Sequence, residues 1–327
     1  MSLSAAKLAA IVGNHLGERI APDAAVELSA GSALVVGNDA WVLNDQDDGR
    51  TLGLALAWAG RQPKAERLNL IVSTQASLFA YQAAAFSFPI KVYQLGAKSL
   101  TSATAEPPEV RAELHPDLAQ YRSLFVEAGA LAVIEQNMLI AEVLGLEVAR
   151  AFMADGRATL EIGIGRLDRE AHQLINSQRP KAEILIDAVS LVKKYRHIGA
   201  APHPLNRIAR ERFVRSLLID APKLVGAKEL KPLEGLRIAP DLRTPWPAMA
   251  VGVDISDRPL IVACSVGVDL ALVPMAGEVR MLDGRGARLL LAMPARDLHQ
   301  ITTMLAGFLI APVEMVPLDP LTWAVGS

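Results

Sequence analysis

Short apolar runs and helical apolar stripes follow one another in the same order at both ends of the chain. Near the start, "SALVVGND" and "AWVLNDQDDG" read as two strands joined by a tight Asn-Asp turn, and "RTLGLALAWAGRQ" follows as a helix. From Arg67, "RLNLIVSTQASLFAYQAAAFSFPIKVYQL" opens as an apolar strand, passes polar capping residues, runs about three helical turns and enters an alternating strand after a proline. The far end repeats this plan. There "AMAVGVDISDR" and "PLIVACSVGVD" are the strand pair, "LALVPMAGEVRML" is the helix, and "RLLLAMPARDLHQITTMLAGFLIAPVEMVPL", from Arg288, is again strand, helix, strand. Each end predicts ββαβαβ, over residues 32–95 and 248–318. Identity is slight, so the expectation of an internal duplication rests on the order of elements. A small sheet leaves an edge and a face uncovered, and the two ends are therefore expected to pack as an internal pseudo-dimer.

The middle has a different pattern. "PDLAQYRSLFVEAG" sets Leu118, Tyr121, Leu124 and Phe125 on one helical stripe, and "ALAVIEQ", "MLIAEVLGLEVARAFM" and "ATLEIGIGR" read as three strands with turn signals at Gln136-Asn137 and Asp155-Gly156. From Asp168 to about Leu224 the period is helical, through "DREAHQLI", "KAEILIDAVSLVKKYR" and "NRIARERFVRSLLID", with Leu205, Ala209, Phe213 and Leu217 recurring at i+4. The expected fold is α/β: an N-terminal repeat unit over 1–104, a middle αβββα segment with added helices over 105–224, a Pro-rich connection over 225–247, and a C-terminal repeat unit over 248–327.

Composition narrows the classes. The 327 residues are 51% hydrophobic, enough for a sizeable core. Charge interrupts the long apolar stretches, as Glu135, Glu142 and Glu147 do, so no membrane span is expected. The N-terminal "MSLSAAKLAAIVGNHLGERI" suits an amphipathic helix better than a signal peptide, which makes a cytoplasmic location the expectation. The one cysteine, Cys264, excludes an intramolecular disulfide and a thiolate zinc cage, and its context "PLIVACSVG" predicts a buried small hydrophobe. A net charge of −2 gives no global attraction to nucleic acid or membrane. Residues 193–231 are the exception, with ten Lys and Arg against three acids. That run reads either as the solvated face of helices or as a track for a phosphate-bearing partner such as nucleic acid, although Tyr195 and Phe213 are its only aromatics. Oligomerisation is left open.

The stretch "LEIGIGRLDREAHQL", residues 160–174, carries the candidate chemistry. Alternation sends Leu160, Ile162 and Ile164 to the core and leaves Glu161, Gly163 and Gly165 on the other face, with clearance beside Glu161. On the preceding strand Gly145, Glu147 and Ala149 share a face. Asp168 is placed as an N-cap, with Arg166 and His172 near the top of the carboxylate pair. Glu147 and Glu161 could then hold Mg2+ or Mn2+, with Asp168 and His172 completing a catalytic group and Arg166, Arg207 and Arg210 binding substrate. The other reading has the glutamates in solvent or paired with Arg150 and Arg166, and the glycines admitting a close helix. His197 and His203 flank "IGAAP" and with His172 offer a second conceivable metal cluster. No GxSxG, HExxH or GxxxxGK[ST] occurs.

The strand end E-x-G-x-G is similar to motif I of S-adenosylmethionine-dependent methyltransferases, but Leu167 fills the third small position and the strand follows hairpin partners. The αβββα order of 117–177 and the ββαβαβ order of each end resemble pieces of the PD-(D/E)XK nuclease-like (restriction-endonuclease-like) superfamily, also seen in tRNA-splicing endonucleases. That resemblance implies an acid on one strand and acid-x-Lys on the next. Glu147 matches the first and Glu161 the second, while Gly163 stands at the lysine position with only a displaced Arg166 to substitute. The terminal strands "VLNDQ" and "VACSV" lack acid-x-Lys and resemble inactive copies. Across almost its whole length the chain is also similar to a family of uncharacterised bacterial proteins, through stretches such as "EVLGLEVAR", "PHPLNRIARERF" and "CSVGVDLALVP". This implies a cytosolic protein and supplies no catalytic residue. Two functions are expected. One is a non-catalytic interaction or structural protein, with no cofactor, built from duplicated and degenerate nuclease-like units. The other is a metal-dependent phosphodiesterase or nuclease-like enzyme centred on Glu147, Glu161, Asp168 and His172.

Overall fold

The structure is a computed structural model that describes residues 3–44, 48–97, 99–108, 113–165, 168–170, 179–233, 239, 241–284 and 286–318. The chain is α/β, as expected. It divides into two compact units, one of Met1–Pro108, Val268–Leu291 and Asp297–Met315, the other of Glu109–Gly267, Ala292–Arg296 and Val316–Ser327. These boundaries differ from those expected from sequence, because most of the C-terminal helical segment is compact with the N-terminal one.

The N-terminal stretch contains α1 (Leu3–Leu16), β1 (Val26–Leu28), β2 (Gly31–Val36), β3 (Asp39–Asn44), α2 (Thr51–Ala59), β4 (Arg67–Val72), α3 (Ala76–Ala83), β5 (Ile90–Leu95) and β6 (Leu100–Ser102). The β2–β3 turn is Gly37-Asn38, one residue earlier than expected, because Gly37 takes a φ of +59° and Val36 pairs with Asp39. The middle stretch contains α4 (Tyr121–Glu127), β7 (Leu131–Glu135), β8 (Met138–Val143), β9 (Leu146–Ala154), β10 (Arg157–Ile162), α5 (Lys181–Tyr195) and α6 (Arg210–Asp220). Then follow β11 (Ala227–Leu233), β12 (Ala248–Asp254), β13 (Pro259–Cys264), α7 (Leu272–Asp283), β14 (Arg288–Pro294), α8 (Gln300–Gly307) and β15 (Val313–Leu318). Residues 31–95 and 248–318 both run ββαβαβ. The sheets are ordered β1 to β6, β10-β9-β8-β7, and β11 to β15.

In the first unit, Leu34 pairs with Trp41, Leu43 with Ile71 and Ile71 with Tyr93, so these five side chains share a sheet face, which Leu8, Ala9 and Val12 of α1 cover. Val42, Leu70 and Val92 are in register on the alternate face and are buried too; α2 and α3 pack against β3, β4 and β5. The sequence of α2, "TLGLALAWA", is apolar nearly all round, so it needs cover on its outer side as well. Helices α7 and α8 supply it: α7 packs on α2 and α3, and α8 on α2.

The approach is close. A Cβ on Gly53 would lie 1.8 Å from the Leu270 carbonyl oxygen, and one on Gly277 would lie 3.0 Å from Ala85 and from Leu309. Just beyond α3 and α8, Phe86 and Leu309 form an antiparallel bridge. Ser87 N–H donates to the Phe308 carbonyl at 2.7 Å, and Ile310 N–H to the Ala85 carbonyl at 3.0 Å, so the contact reads the same from either segment. Helices α2 and α7 also begin alike. Asp48 accepts from Arg50 N–H at 2.9 Å, and Asp269 accepts from Ala271 N–H at 2.9 Å, each carboxylate satisfying the amide two residues on.

In the second unit, β7 to β10 form an antiparallel meander closed by two-residue turns with two positive φ values each: Gln136-Asn137 (51° and 61°), Leu144-Gly145 (49° and 82°) and Asp155-Gly156 (49° and 73°). The first and third match the sequence signals. The second corrects three expected strands to four, because the apolar run "MLIAEVLGLEVARAFM" hides a turn whose φ > 0 positions include a leucine. One sheet face presents Leu139, Ala141, Leu160 and Ile162 to Phe125 of α4 and to Ile184, Leu185, Ala188 and Val189 of α5. Helix α6 begins at Arg210, later than the expected "NRIARERF" start, since Ala209 is left-handed (φ 43°, ψ 51°).

Gly53 generates a test. Helix propensity favours Gly53→Ala by about 1 kcal/mol, but the added methyl meets backbone that cannot yield. We expect Gly53→Ala to destabilise by about 3 kcal/mol in denaturant titration. Gly307→Ala, where a Cβ has nothing within 4 Å, stays within about 0.5 kcal/mol of wild type.

Candidate functional site

The sheet face opposite that core is charged, and one irregularity makes it so. On β8 and β9 the register runs Ala141↔Ala149 and then Glu142↔Glu147, leaving Val148 unmatched as a β-bulge. The extra residue moves Glu147 off the face of Ala149 and onto that of Arg150, correcting the expected Gly145/Glu147/Ala149 alignment. Glu161 pairs directly with Arg150, and Glu142 directly with Glu147. Two carboxylates standing opposite each other, about 5 Å apart, repel by about 3 kcal/mol at an effective dielectric near 20. Such a face needs cations.

Arginines provide them. Arg150 Nε and Nη2 reach Glu161 Oε2 at 2.9 and 2.8 Å. Arg169 Nη1 donates to Glu147 Oε1 at 2.9 Å, and its Nε lies 3.5 Å from Glu161 Oε2. From α6, Arg212 donates to Glu135 Oε2 at 2.9 Å and stands 3.7 Å from Glu142, while Arg215 donates to Glu142. Glu142 and Arg215 are both 2% exposed. Burial raises the Glu147 carboxyl above its usual range, although Arg169 and Arg150 pull it down.

Arg196 holds α6 in place. Its guanidinium is fully buried and donates to the carbonyls of Leu144 (2.7 Å), Ile208 (2.9 Å), Ala209 (2.7 Å) and Leu205. Those carbonyls belong to the β8–β9 turn and to the approach to α6. Burial pushes this guanidinium down to about 9, against the upward pull of Glu142 and Glu211. Gly145 lets the turn touch the helix, since a Cβ there would lie 2.4 Å from the Arg212 carbonyl carbon.

Above the charged face lies a cavity of about 740 Å³, lined on the sheet side by Glu135, Met138, Ile140, Glu147 and Arg150, and by Arg169, Arg212 and Arg215. Glu211, Asp241, Arg243, Trp246 and Met249 are also in its wall. Residues 241–247 are anchored to the start of α6 by Ala209 N–H, which donates to the Leu242 carbonyl at 2.7 Å. Asp241 accepts from the amides of Arg243 and Thr244, both at 2.6 Å, which lowers its carboxyl.

The structure brings Glu147, Glu161 and Asp168 into one region, but in altered roles. Asp168 is not an N-cap: residues 168–170 are helical, and its Oδ2 accepts from Ile164 N–H at 2.7 Å. A Cβ on Gly163 (φ +141°) would lie 2.7 Å from Arg169 N, so that glycine admits a close backbone and offers no clearance; Gly165 has open space. Arg166 and His172 lie outside the described residues. Arg207 is exposed and Arg210 half-buried, and of this segment it is Arg212 and Arg215 that line the cavity. His203 stacks on Tyr195 at 4.1 Å and its Nδ1 accepts from Leu205 N–H, while His197 is exposed. Among the described residues no group of three His, Cys, Asp or Glu is placed to hold a metal. Of the basic run, Arg196, Arg212 and Arg215 turn inward, and Lys228 pairs with Asp257 at 2.7 Å. Cys264 is buried, with its thiol pushed up to about 12 by burial. No described helix is long and apolar enough to cross a membrane.

Sequence reasoning missed Arg169, Arg212, Arg215 and Trp246. The i, i+3 spacing of the last two arginines puts them on one helix face, and that spacing was the available signal.

Two outcomes follow for this face. Glu142→Gln leaves Arg215 a buried cation without its carboxylate and should cost about 3 kcal/mol in denaturant titration. Glu147 behaves differently with pH. Its raised carboxyl, against an ordinary 4.5, binds a proton more tightly folded than unfolded, so acidification through the raised value towards 4.5 adds stability. Glutamine cannot add it. The midpoint difference between wild type and Glu147→Gln should therefore grow in favour of wild type as pH falls from neutral to about 4.5.

Comparison of the chain with protein-family models, with curated proteins and with solved structures found no match.

Proposed function

We propose that the chain is a non-catalytic binding protein whose ligand enters the cavity over the ion-paired face of the second unit. The observation that carries this reading is the pairing itself: Glu135, Glu142, Glu147 and Glu161 each face an arginine. Carboxylates committed in this way act as hydrogen-bond acceptors on a fixed wall. They are poorly disposed to take up a metal or to carry a proton through a reaction cycle. The size of the cavity lies within the range of small-molecule sites, and its mixture of apolar side chains with convergent polar groups fits such a role.

The terminal ββαβαβ units are read as duplicated and non-catalytic. Their shared order of elements, the matching carboxylate turns at Asp48 and Asp269, and the reciprocal Phe86/Leu309 bridge support that reading.

A second reading is a metal-dependent phosphodiesterase or nuclease-like enzyme on a phosphate-bearing substrate, related to the PD-(D/E)XK fold. One observation favours it: Glu147 and Glu161, from adjacent strands, converge on a single cation in a concave site, and Glu147 has the perturbed carboxyl often found where chemistry occurs. The cation, however, is the Arg169 guanidinium, and the position of the family's lysine is Gly163, where a side chain would strike backbone.

A thermal melt separates the two. Under the binding reading, millimolar MnCl2 or MgCl2 leaves the midpoint unchanged in wild type and in Glu161→Gln, and the substitution lowers the midpoint equally with or without metal. A Mn2+-dependent rise in wild type that disappears in Glu161→Gln supports the enzyme instead.

A further inference from the structure

Resting on the reading of this cavity as a binding site, we propose that its ligand is a neutral polyhydroxylated molecule, a saccharide, held by Trp246 and the guanidinium–carboxylate wall of the sheet.

The first argument is charge. The wall carries full charges, but they are already matched: Arg150 to Glu161, Arg169 to Glu147, Arg212 to Glu135 and Arg215 to Glu142. An anionic ligand would have to compete with a fixed carboxylate for each of these four guanidinium groups, and a cationic ligand with a fixed guanidinium for each of their carboxylates, while Arg243 in the lining is offset by Asp241 beside it. Breaking such a pair leaves a partly buried charge alone, which is costly. A neutral ligand breaks none.

The second argument is hydrogen-bond inventory. The guanidinium groups of Arg150, Arg169, Arg212 and Arg215 only donate, the carboxylates of Glu135 and Glu147 only accept, and all six side chains line the cavity. A hydroxyl is donor and acceptor at once, and vicinal hydroxyls can bridge a guanidinium and its neighbouring carboxylate. A phosphate or carboxylate, which only accepts when ionised, meets half of this pattern and is repelled by the other half.

The third argument is shape. Trp246 and Met249 line the same cavity as that polar wall. The C–H face of a pyranose ring is apolar and slightly positive, matching the electron-rich face of an indole. A cavity of about 740 Å³ has room for one or two sugar rings.

The test is calorimetric titration of the full chain with glucose, maltose, a hexose phosphate, glucuronate and glutamine, at low and high salt. We expect glucose or maltose to bind at concentrations up to about 10 mM, with an affinity that hardly changes with salt. Trp246→Ala should weaken that binding by at least about tenfold, and Trp246→Phe should restore most of it. Circular dichroism and melting of each variant separate lost folding from lost binding. If the hexose phosphate, glucuronate or glutamine binds in a Trp246-dependent way and the neutral sugars do not, the saccharide assignment is wrong and the cavity's binding role stands. If a neutral sugar binds but Trp246→Ala, still folded, binds it equally well, the assignment to this cavity is wrong. If none of the five binds, both fail.

Discussion

Glu142 and Glu147 stand opposite each other on neighbouring strands, and much of the second unit can be understood as the answer to that placement. Two carboxylates on one sheet face are tolerable only when cations are brought to them. Arg215 and Arg212 come from α6, Arg169 from the segment after β10, and Arg150 from the sheet itself. Each needs its backbone held at a fixed height above the strands. The Arg196 guanidinium does this for α6 by gathering carbonyls from the β8–β9 turn and from residues 205–209. A buried cation fixed by carbonyls therefore sets the position of the cations that neutralise the sheet. Buried polar networks of this kind specify one arrangement strongly because a half-satisfied version is worse than none.

The same economy shapes the cavity. A sheet face that carried leucine and valine would have closed down on α6 and excluded water. Charged side chains of this length keep the layers apart while pairing with one another. The cavity is thus a by-product of using ion pairs where an apolar layer would ordinarily go, and its wall inherits their alternation of donors and acceptors.

Much of the fold was legible in the chain. Strand pairs and helices at both ends follow directly from apolar period, and two of the three middle turns carry Gln136-Asn137 and Asp155-Gly156 signals. The third turn was not legible, because Leu144 occupies a left-handed position that local sequence does not announce and that Arg196 and α6 stabilise from far along the chain. The bulge at Val148 was equally hidden: a single unmatched residue leaves the alternation of "LEVARAFM" looking regular while it reverses which face Glu147 joins. Glu147 and Glu161 were identified as neighbours, yet their shared cation was not, since Arg169 follows a glycine pair that read as clearance. The space beside Gly163 is taken by the backbone of Asp168 and Arg169, which lies close only once the chain has turned back on itself.

The Phe86/Leu309 bridge carries a consequence of another kind. Reciprocal contacts of this form are the usual means by which two separate copies of a protein recognise each other, and assemblies of that sort weaken on dilution. Here both participants sit on one polypeptide. Their encounter is intramolecular, so its occupancy is set by tether length and not by how much protein is present. The two sides are also released from having to match themselves, and each can change its sequence independently as long as it still fits the other.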